Sequence, residues 1–185
     1  LPEITGLPAG EYNLHIVDSN LCTADTTFTL TQPGEFTVDL DPSMTAGGTN
    51  ISCAGTATGS VNAIPVNAVG AVRYLWSDGG TSQLRQNLLA GTYEVIVTDA
   101  NFCIARNSIT LTEPDSLKLV FDVTQPWCTD KPNGEIRLTV SGGIMGADYS
   151  YDWSDGSTGR NITDIASGWY SVRVTDMNNC QAADS

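Results

Sequence analysis

The chain has 185 residues, few charged side chains and a formal net charge of −13. This acidic balance argues against nucleic acid as a partner, because phosphates require Lys and Arg, and against anionic membrane surfaces. No apolar run is long enough to span a bilayer, so no membrane insertion is expected. No basic leader followed by an apolar core stands at the N-terminus.

One pattern of fourteen residues occurs three times, as AGEYNLHIVDSNLC (9–22), AGTYEVIVTDANFC (90–103) and SGWYSVRVTDMNNC (167–180). Tyr12, Tyr93 and Tyr170 are separated by 81 and 77 residues, and such a period indicates tandem units. The period predicts the C-terminal part of an Ig-like repeat (1–33), a complete repeat (34–114) and a repeat that lacks its last strand (115–185). We expect the natural protein to be longer at both ends.

The signals within each unit predict an all-β fold of tandem Ig-like antiparallel β-sandwiches, each of about 80 residues. Trp76 and Trp153 each precede Ser-Asp-Gly, which predicts a core Trp on the third strand followed by a tight hairpin. Tyr93 to Thr98 alternate apolar and polar side chains, as a half-buried strand does. The segment Thr98 to Asn101 predicts a hairpin turn in which Asp99 bonds the backbone and Asn101 is left-handed.

The segment that leads into each repeated Tyr resembles the tyrosine corner of Ig-like sandwiches. Each of the three copies places an aliphatic residue, then Gly, then Tyr at the start of a strand. In a tyrosine corner the phenol hydroxyl bonds back to the preceding crossover while the ring fills the core. We therefore expect Tyr12, Tyr93 and Tyr170 to have structural roles.

Catalysis is not expected. His15 is the chain's single His, and its counterparts Ile96 and Arg173 share no role with it. We expect His15 to be a solvated side chain on the outer face of a strand. The sequence contains no nucleophile motif, zinc motif or phosphate loop.

Calcium is the one cofactor for which the acidic turns suggest ligands. Asp99 and Asp176 recur at one turn, and Asp78 and Asp155 at another. Hard cations need several oxygen ligands, but each turn brings only one or two carboxylates and Asp favours turns in any case. We expect turn chemistry and no resident cofactor, with calcium as the alternative.

The motifs together resemble the SprB repeat family. The matching segments are Cys53, Gly59-Ser60-Val61, Tyr74-Leu75-Trp76-Ser77-Asp78-Gly79, Leu88 to Tyr93, Val97-Thr98-Asp99 to Cys103, and Glu113-Pro114. The resemblance implies an internal segment of a very large surface adhesin of gliding or biofilm-forming Bacteroidetes, exported by the type IX secretion system. It also implies an extracellular location at the outer-membrane surface.

The cysteines stand at repeat-locked positions, which is typical of disulfides in an exported protein. One pairing lies within repeats, Cys53–Cys103 and Cys128–Cys180, with Cys22 paired outside these residues. The other is a bridge between repeats, Cys53–Cys180. Strand polarity slightly favours the bridge, because Cys53 precedes the second strand and Cys103 follows the sixth, a strand length away. Both pairings remain open at this point.

Two segments are candidates for O-glycosylation, by analogy with Asp-Ser/Thr-apolar motifs in exported Bacteroidetes proteins. Ser116 lies in Asp115-Ser116-Leu117 at a predicted linker, and Thr26 lies in Asp25-Thr26-Thr27, which fits less well.

The tandem repeats and the resemblance to the SprB repeat family together imply a mechanical segment of an adhesin filament, used in surface attachment or gliding motility. Its expected partners are neighbouring repeats, a surface polysaccharide or solid substratum, and, through other regions, the gliding and secretion machinery. The alternative is a glycan-binding module that uses Trp127 and Trp169, since the middle repeat has Ser52 and Thr92 there.

Overall fold

The computed structural model describes residues 3–127, 131–144 and 149–185. Within these ranges all regular elements are β-strands, and no helix has the length and hydropathy needed to cross a membrane. The strands in chain order are β1 Gly10–Val17, β2 Thr23–Leu30, β3 Thr37–Pro42, β4 Gly59–Val66, β5 Arg73–Trp76, β6 Leu84–Leu88, β7 Gly91–Thr98, β8 Ile104–Leu111, β9 Lys118–Thr124, β10 Gly134–Ser141, β11 Ser150–Trp153, β12 Ile162–Ile165, β13 Val172–Thr175 and β14 Gln181–Asp184.

The middle and third repeats have the same sheet topology. In the middle repeat one sheet has the order β3-β4-β6 and the other β5-β7-β8. The third repeat forms β9-β10-β12 and β11-β13-β14. All pairings are antiparallel. The predicted fold class, tandem Ig-like antiparallel sandwiches, is confirmed.

Each sandwich has a core centred on one Trp. Trp76 is 2% exposed, and its Nε1–H donates to Ser82 O at 2.9 Å. Trp153 is equally buried and donates to Gly159 O at 2.8 Å. The indole thus buries a large apolar area while its one polar group stays satisfied. Aliphatic side chains from both sheets surround each Trp: Val38, Val61, Val95 and Val97 in the middle repeat, and Ile136, Leu138, Val172 and Val174 in the third.

The tyrosine corner is present in all three repeats. The hydroxyls of Tyr12, Tyr93 and Tyr170 donate to the carbonyl oxygens of Pro8, Leu89 and Ala166, at 2.6, 3.1 and 3.1 Å. Each acceptor stands four residues before its Tyr, so the bond ties the crossover to the strand that it enters.

The first repeat is represented by the hairpin of β1 and β2. Its register, Gly10↔Leu30 to Val17↔Thr23, matches that of β7 and β8. Leu14 and Ile16 are 43% and 52% exposed, whereas their counterparts Val95 and Val97 are fully buried. In the middle repeat the facing sheet covers these positions.

Two expectations about elements are corrected. The third repeat was expected to lack its last strand, but β14 pairs with β13 from Val172↔Asp184 to Thr175↔Gln181. The turn at Asp78-Gly79 was expected to form a hairpin, but β5 and β6 belong to different sheets. This turn is closed by Gly79 N–H to Trp76 O at 2.9 Å, and it carries the chain from one sheet to the other.

The left-handed residue of the hairpin after β7 is Phe102, with a φ of 63°, and not Asn101 as expected. The turn is closed by Asp99 N–H to Cys103 O and Phe102 N–H to Asp99 O, both at 3.1 Å. A loop of this length places its left-handed position last, directly before the returning strand. Leu21 and Asn179 have the same conformation in the other repeats.

We predict that Trp76→Ala lowers the free energy of unfolding of the middle repeat by about 3–5 kcal/mol, because it leaves a cavity in the core. Leu75→Ala is the matched control, since Leu75 neighbours Trp76 on β5 but is 53% exposed; it should cost less than about 1 kcal/mol. Urea unfolding followed by circular dichroism measures both. Equal effects would show that the core is not centred on Trp76.

Candidate functional site: the joint between repeats

A disulfide bond joins the middle repeat to the third. Cys53 and Cys180 are bonded with a Cα–Cα distance of 5.5 Å across 127 positions of the sequence. This is the second of the two pairings considered above. The bond fixes the junction between the two repeats covalently. We call this bond and the contacts around it the joint.

The joint's first half is the loop between β3 and β4, which is fastened to the end of β8. Asn50 N–H donates to Thr112 O, and Asn50 Oδ1 accepts from Thr112 N–H, each at 2.9 Å. Further along, Gly55 N–H donates to Glu113 Oε2 at 2.7 Å. These bonds hold Cys53 at the end of the sandwich that faces the third repeat.

The joint's second half is the hairpin between β13 and β14, organised by the buried carboxylate of Asp176. Its Oδ1 accepts from Asn178 N–H and Cys180 N–H, both at 2.9 Å. Its Oδ2 accepts from Ile144 N–H, also at 2.9 Å. One carboxylate therefore fixes both the hairpin that bears Cys180 and the loop after β10.

Hydrogen bonds and close packing add to the disulfide. Asn178 Nδ2 donates to Ser52 O at 3.1 Å. Ile144, which is 6% exposed, packs so closely on Gly47 that a Cβ atom on Gly47 would overlap its side chain. Gly143 N–H, in the loop after β10, donates at 2.7 Å to the carbonyl oxygen of Asp115, which lies in the linker after β8. The joint therefore combines covalent, polar and apolar contacts.

The pairing Cys53–Cys103 within the repeat is not what the structure has, and strand polarity gives the reason. The Cys53 loop is bonded to Thr112 at the end of β8, whereas Cys103 directly precedes the first residue of β8. Eight residues of strand span roughly 25 Å, which is far beyond the reach of a disulfide. Cys22 and Cys103 are free and exposed within the described residues. Cys128 lies outside the described residues. Its predicted bond to Cys180 is wrong, because Cys180 is bonded to Cys53.

The carboxylates proposed as calcium ligands act as acceptors within turns. Asp99 accepts from the backbone N–H groups of Val69, Asn101 and Cys103. Desolvation raises the pKa of Asp99, but these hydrogen bonds together outweigh it and hold the pKa below its ordinary value. In the other turn, Asp78 pairs with Arg85 and Asp155 accepts from Ser157 N–H. Across the described parts of the chain, no group of three or more His, Cys, Asp or Glu is arranged to hold a metal ion.

The remaining predicted residues lie away from the Cys53–Cys180 bond or at the edge of the joint. His15 is exposed and contacts Asp25 on the paired strand at 2.5 Å. Thr26 is exposed on β2, and Ser116 is exposed in the linker beside Gly142. Trp127 and Trp169 are 86% and 92% exposed. Glycosylation at Ser116 or Thr26 stays a prediction.

Sequence reasoning missed the roles of Asn178, Gly47 and Ile144. For Asn178 a signal was available, because Asn20, Asn101 and Asn178 each stand two residues after the repeated Asp and two before the repeated Cys. Gly47 and Ile144 gave no such signal, because their contact depends on how two repeats are placed relative to each other.

Comparison with known proteins finds a matching family model and several similar solved structures. The family model of the SprB repeat matches residues 46–81 and 120–158. One of the solved structures, "Crystal structure of murine CEACAM1b", is similar over 77% of this chain and 93% of that chain, at 15% identity and a TM-score of 0.27. No curated protein gives a significant match.

The joint predicts the outcome of cutting the linker. With a protease site inserted between Asp115 and Ser116, both exposed, the cleaved chain should run as one species without reductant, because Cys53 and Cys180 lie on either side of the cut. Reductant should release two fragments. Cys180→Ser is the control and should release them under both conditions. Two fragments from the unreduced parent chain would disprove the bridge.

Proposed function

Since this chain carries SprB repeats at two places, we propose that it is a load-bearing segment of a bacterial cell-surface adhesin filament. In this proposal the parent protein belongs to the Bacteroidetes, is exported by type IX secretion and acts in surface attachment or gliding. The segment itself contributes length and tensile strength, and neighbouring repeats are its partners.

The Cys53–Cys180 bond carries this proposal. When a protein is pulled by its two ends, a covalent link between two positions prevents the residues between them from adding length. Here the link bypasses residues 54–179, which include β4 to β13. Force can disturb the sandwiches between these positions but cannot draw them out into an extended chain.

The bond also fixes which strands receive the load. Under tension between the termini the load passes from β3 through Cys53 and Cys180 to β14. Both β3 and β14 are edge strands, and each is hydrogen-bonded to a central strand, β4 or β13, that lies inside the bypassed span. The folded sandwiches therefore hold the two loaded strands without being drawn out themselves.

We predict that the bond limits extension under force. In single-molecule pulling by the two termini, Cys180→Ser should add about 430 Å of extension over the parent chain, the length of residues 54–179 at roughly 3.4 Å each. Cys103→Ser is the matched control and should extend as the parent does, because Cys103 is free within the described residues. Equal extension of parent and Cys180→Ser would refute the load-bearing role.

The exposure of Trp127 and Trp169 favours a second candidate function, a glycan-binding surface. Exposed indoles are suited to stacking on sugar rings, and both side chains are more than four-fifths exposed. Trp127 also has another explanation, since its counterpart Ser52 lies in the joint and accepts from Asn178.

A polysaccharide titration separates the two functions. If the glycan hypothesis holds, intrinsic fluorescence should shift on titration and Trp169→Thr, which restores the residue of the middle repeat, should abolish the shift. Trp76 and Trp153 are buried and serve as internal controls that do not respond. If no polysaccharide in a panel of charged and neutral ones shifts the fluorescence, the glycan hypothesis is wrong and the mechanical role is the one that stands.

A further inference from the structure

The end of the middle repeat that bears Cys103 is built in the same way as the second half of the joint, which bears Cys180. Val69 N–H donates to Asp99 Oδ2 at 3.1 Å, as Ile144 N–H does to Asp176 Oδ2. Asp99 Oδ1 accepts from Cys103 N–H at 2.9 Å, as Asp176 Oδ1 does from Cys180 N–H. We call Val69, Asn101, Phe102 and Cys103 the receiving face of the middle repeat.

The two faces differ in exposure at three of their four positions, each time in the same direction. Ile144 is 6% exposed, whereas its counterpart Val69 is 39% exposed. Cys180 and Asn178 are half-buried, whereas Cys103 and Asn101 are exposed. In the third repeat the cover is supplied by Gly47, Ser52 and Cys53 of the repeat before it.

Phe102 adds an apolar contact surface beside the free thiol. Its side chain is 85% exposed on a left-handed backbone, and its counterpart Asn179, which lies next to the bonded Cys180, is exposed as well. A large aromatic side chain held in water loses apolar hydration when a partner covers it, which favours docking. Leu21 is 82% exposed at the same place in the first repeat.

We propose that this receiving face binds the loop corresponding to residues 45–56 of a preceding repeat, and that Cys103 forms a disulfide with that loop's cysteine. The joint already present identifies this occupant. There the third repeat is covered by the Cys53 loop of the middle repeat, which is the repeat that precedes it in the sequence. Two thiols are oxidised to the disulfide, and a low-molecular-weight disulfide oxidant takes up the two electrons and two protons and leaves as two thiols.

The bonding rule is that the first cysteine of one repeat pairs with the second cysteine of the next. Cys103 lies between Cys53 and Cys180 in the sequence, so the two bonds interleave. A run of such repeats is then covalently linked at every junction. This inference does not depend on the proposed load-bearing role: Cys103 could stay unpaired while the Cys53–Cys180 bond still limits extension.

A transplant within the 185-residue chain tests whether the receiving face is competent. The substitutions Ile144→Val, Met177→Ala and Asn179→Phe give the third repeat the face of the middle one. We expect the Cys53–Cys180 bond to form in full with oxidised glutathione, as in the parent chain, by peptide mapping. Loss of the bond in a chain that keeps the parent's circular dichroism would show that a face with the middle repeat's side chains does not accept the covering loop, and would overturn the proposal.

A duplication tests the pairing itself. An extra copy of residues 34–114 is inserted before Gly34, with Thr56→Ser and Ile104→Val as mass labels in the inserted copy. Peptide mapping should find the inserted Cys53 bonded to the original Cys103, and the original Cys53 still bonded to Cys180. Cys103→Ser in the inserted copy should change neither bond, whereas Cys53→Ser in that copy should make the original Cys103 fully alkylatable.

Three results would contradict the proposal: a bond between Cys53 and Cys103 of one copy, an original Cys103 that stays free, or a dimer linked through Cys103. Val69→Lys gives a further readout. It should leave the melting temperature of the 185-residue chain within about 1 °C, because surface substitutions are close to neutral, and should slow formation of the new bond in the duplicated chain.

Discussion

The two cysteines of one repeat lie at opposite ends of the same sandwich, and this constraint sets the architecture of the joint. The Cys53 loop is bonded to the end of β8, while Cys103 stands at its beginning. Because these two cysteines are too far apart to bond to each other, each can form a disulfide only with a cysteine of another repeat. In a head-to-tail string the neighbouring end belongs to the next repeat, which is where Cys180 lies.

The buried Asp of each hairpin fastens that hairpin to a neighbouring loop and so organises one end of the repeat. Asp99 and Asp176 each accept two hydrogen bonds from their own hairpin and one from the loop after the second strand. A carboxylate accepts several such bonds without strain, because its two oxygens offer about four acceptor positions. The cysteine and its apolar neighbour, Val69 or Ile144, are thereby held side by side. The recurrence of Asp at this turn follows from this role in the fold.

Much of the fold could be predicted from the sequence, because its signals are local and repeated. Alternation along Tyr93 to Thr98 indicated a half-buried strand, and the Tyr and Trp motifs indicated the corner and the core. Chain polarity alone favoured a bridge between repeats. The contact of Gly47 with Ile144 could not be predicted, because it depends on the placement of two domains whose sequences do not encode it locally. The left-handed Phe102 was missed because residue type suggested Asn101, whereas turn length decides the position.

If Cys103 pairs as proposed, the interleaved bonds also determine how load crosses a repeat. Tension would enter the middle repeat at Cys103 and leave at Cys53, so it would pass from one end of the sandwich to the other between these two residues. Cys103 follows β7 and Cys53 precedes β4, and both are central strands, one in each sheet. Pulling them in opposite directions shears the two sheets along their strands and across the Trp76 core. Shear loads the hydrogen bonds of a ladder together, whereas peeling an edge strand breaks them one at a time. The linker after β8 lies outside this path, which explains how it can be short and exposed without being the weak point of the chain.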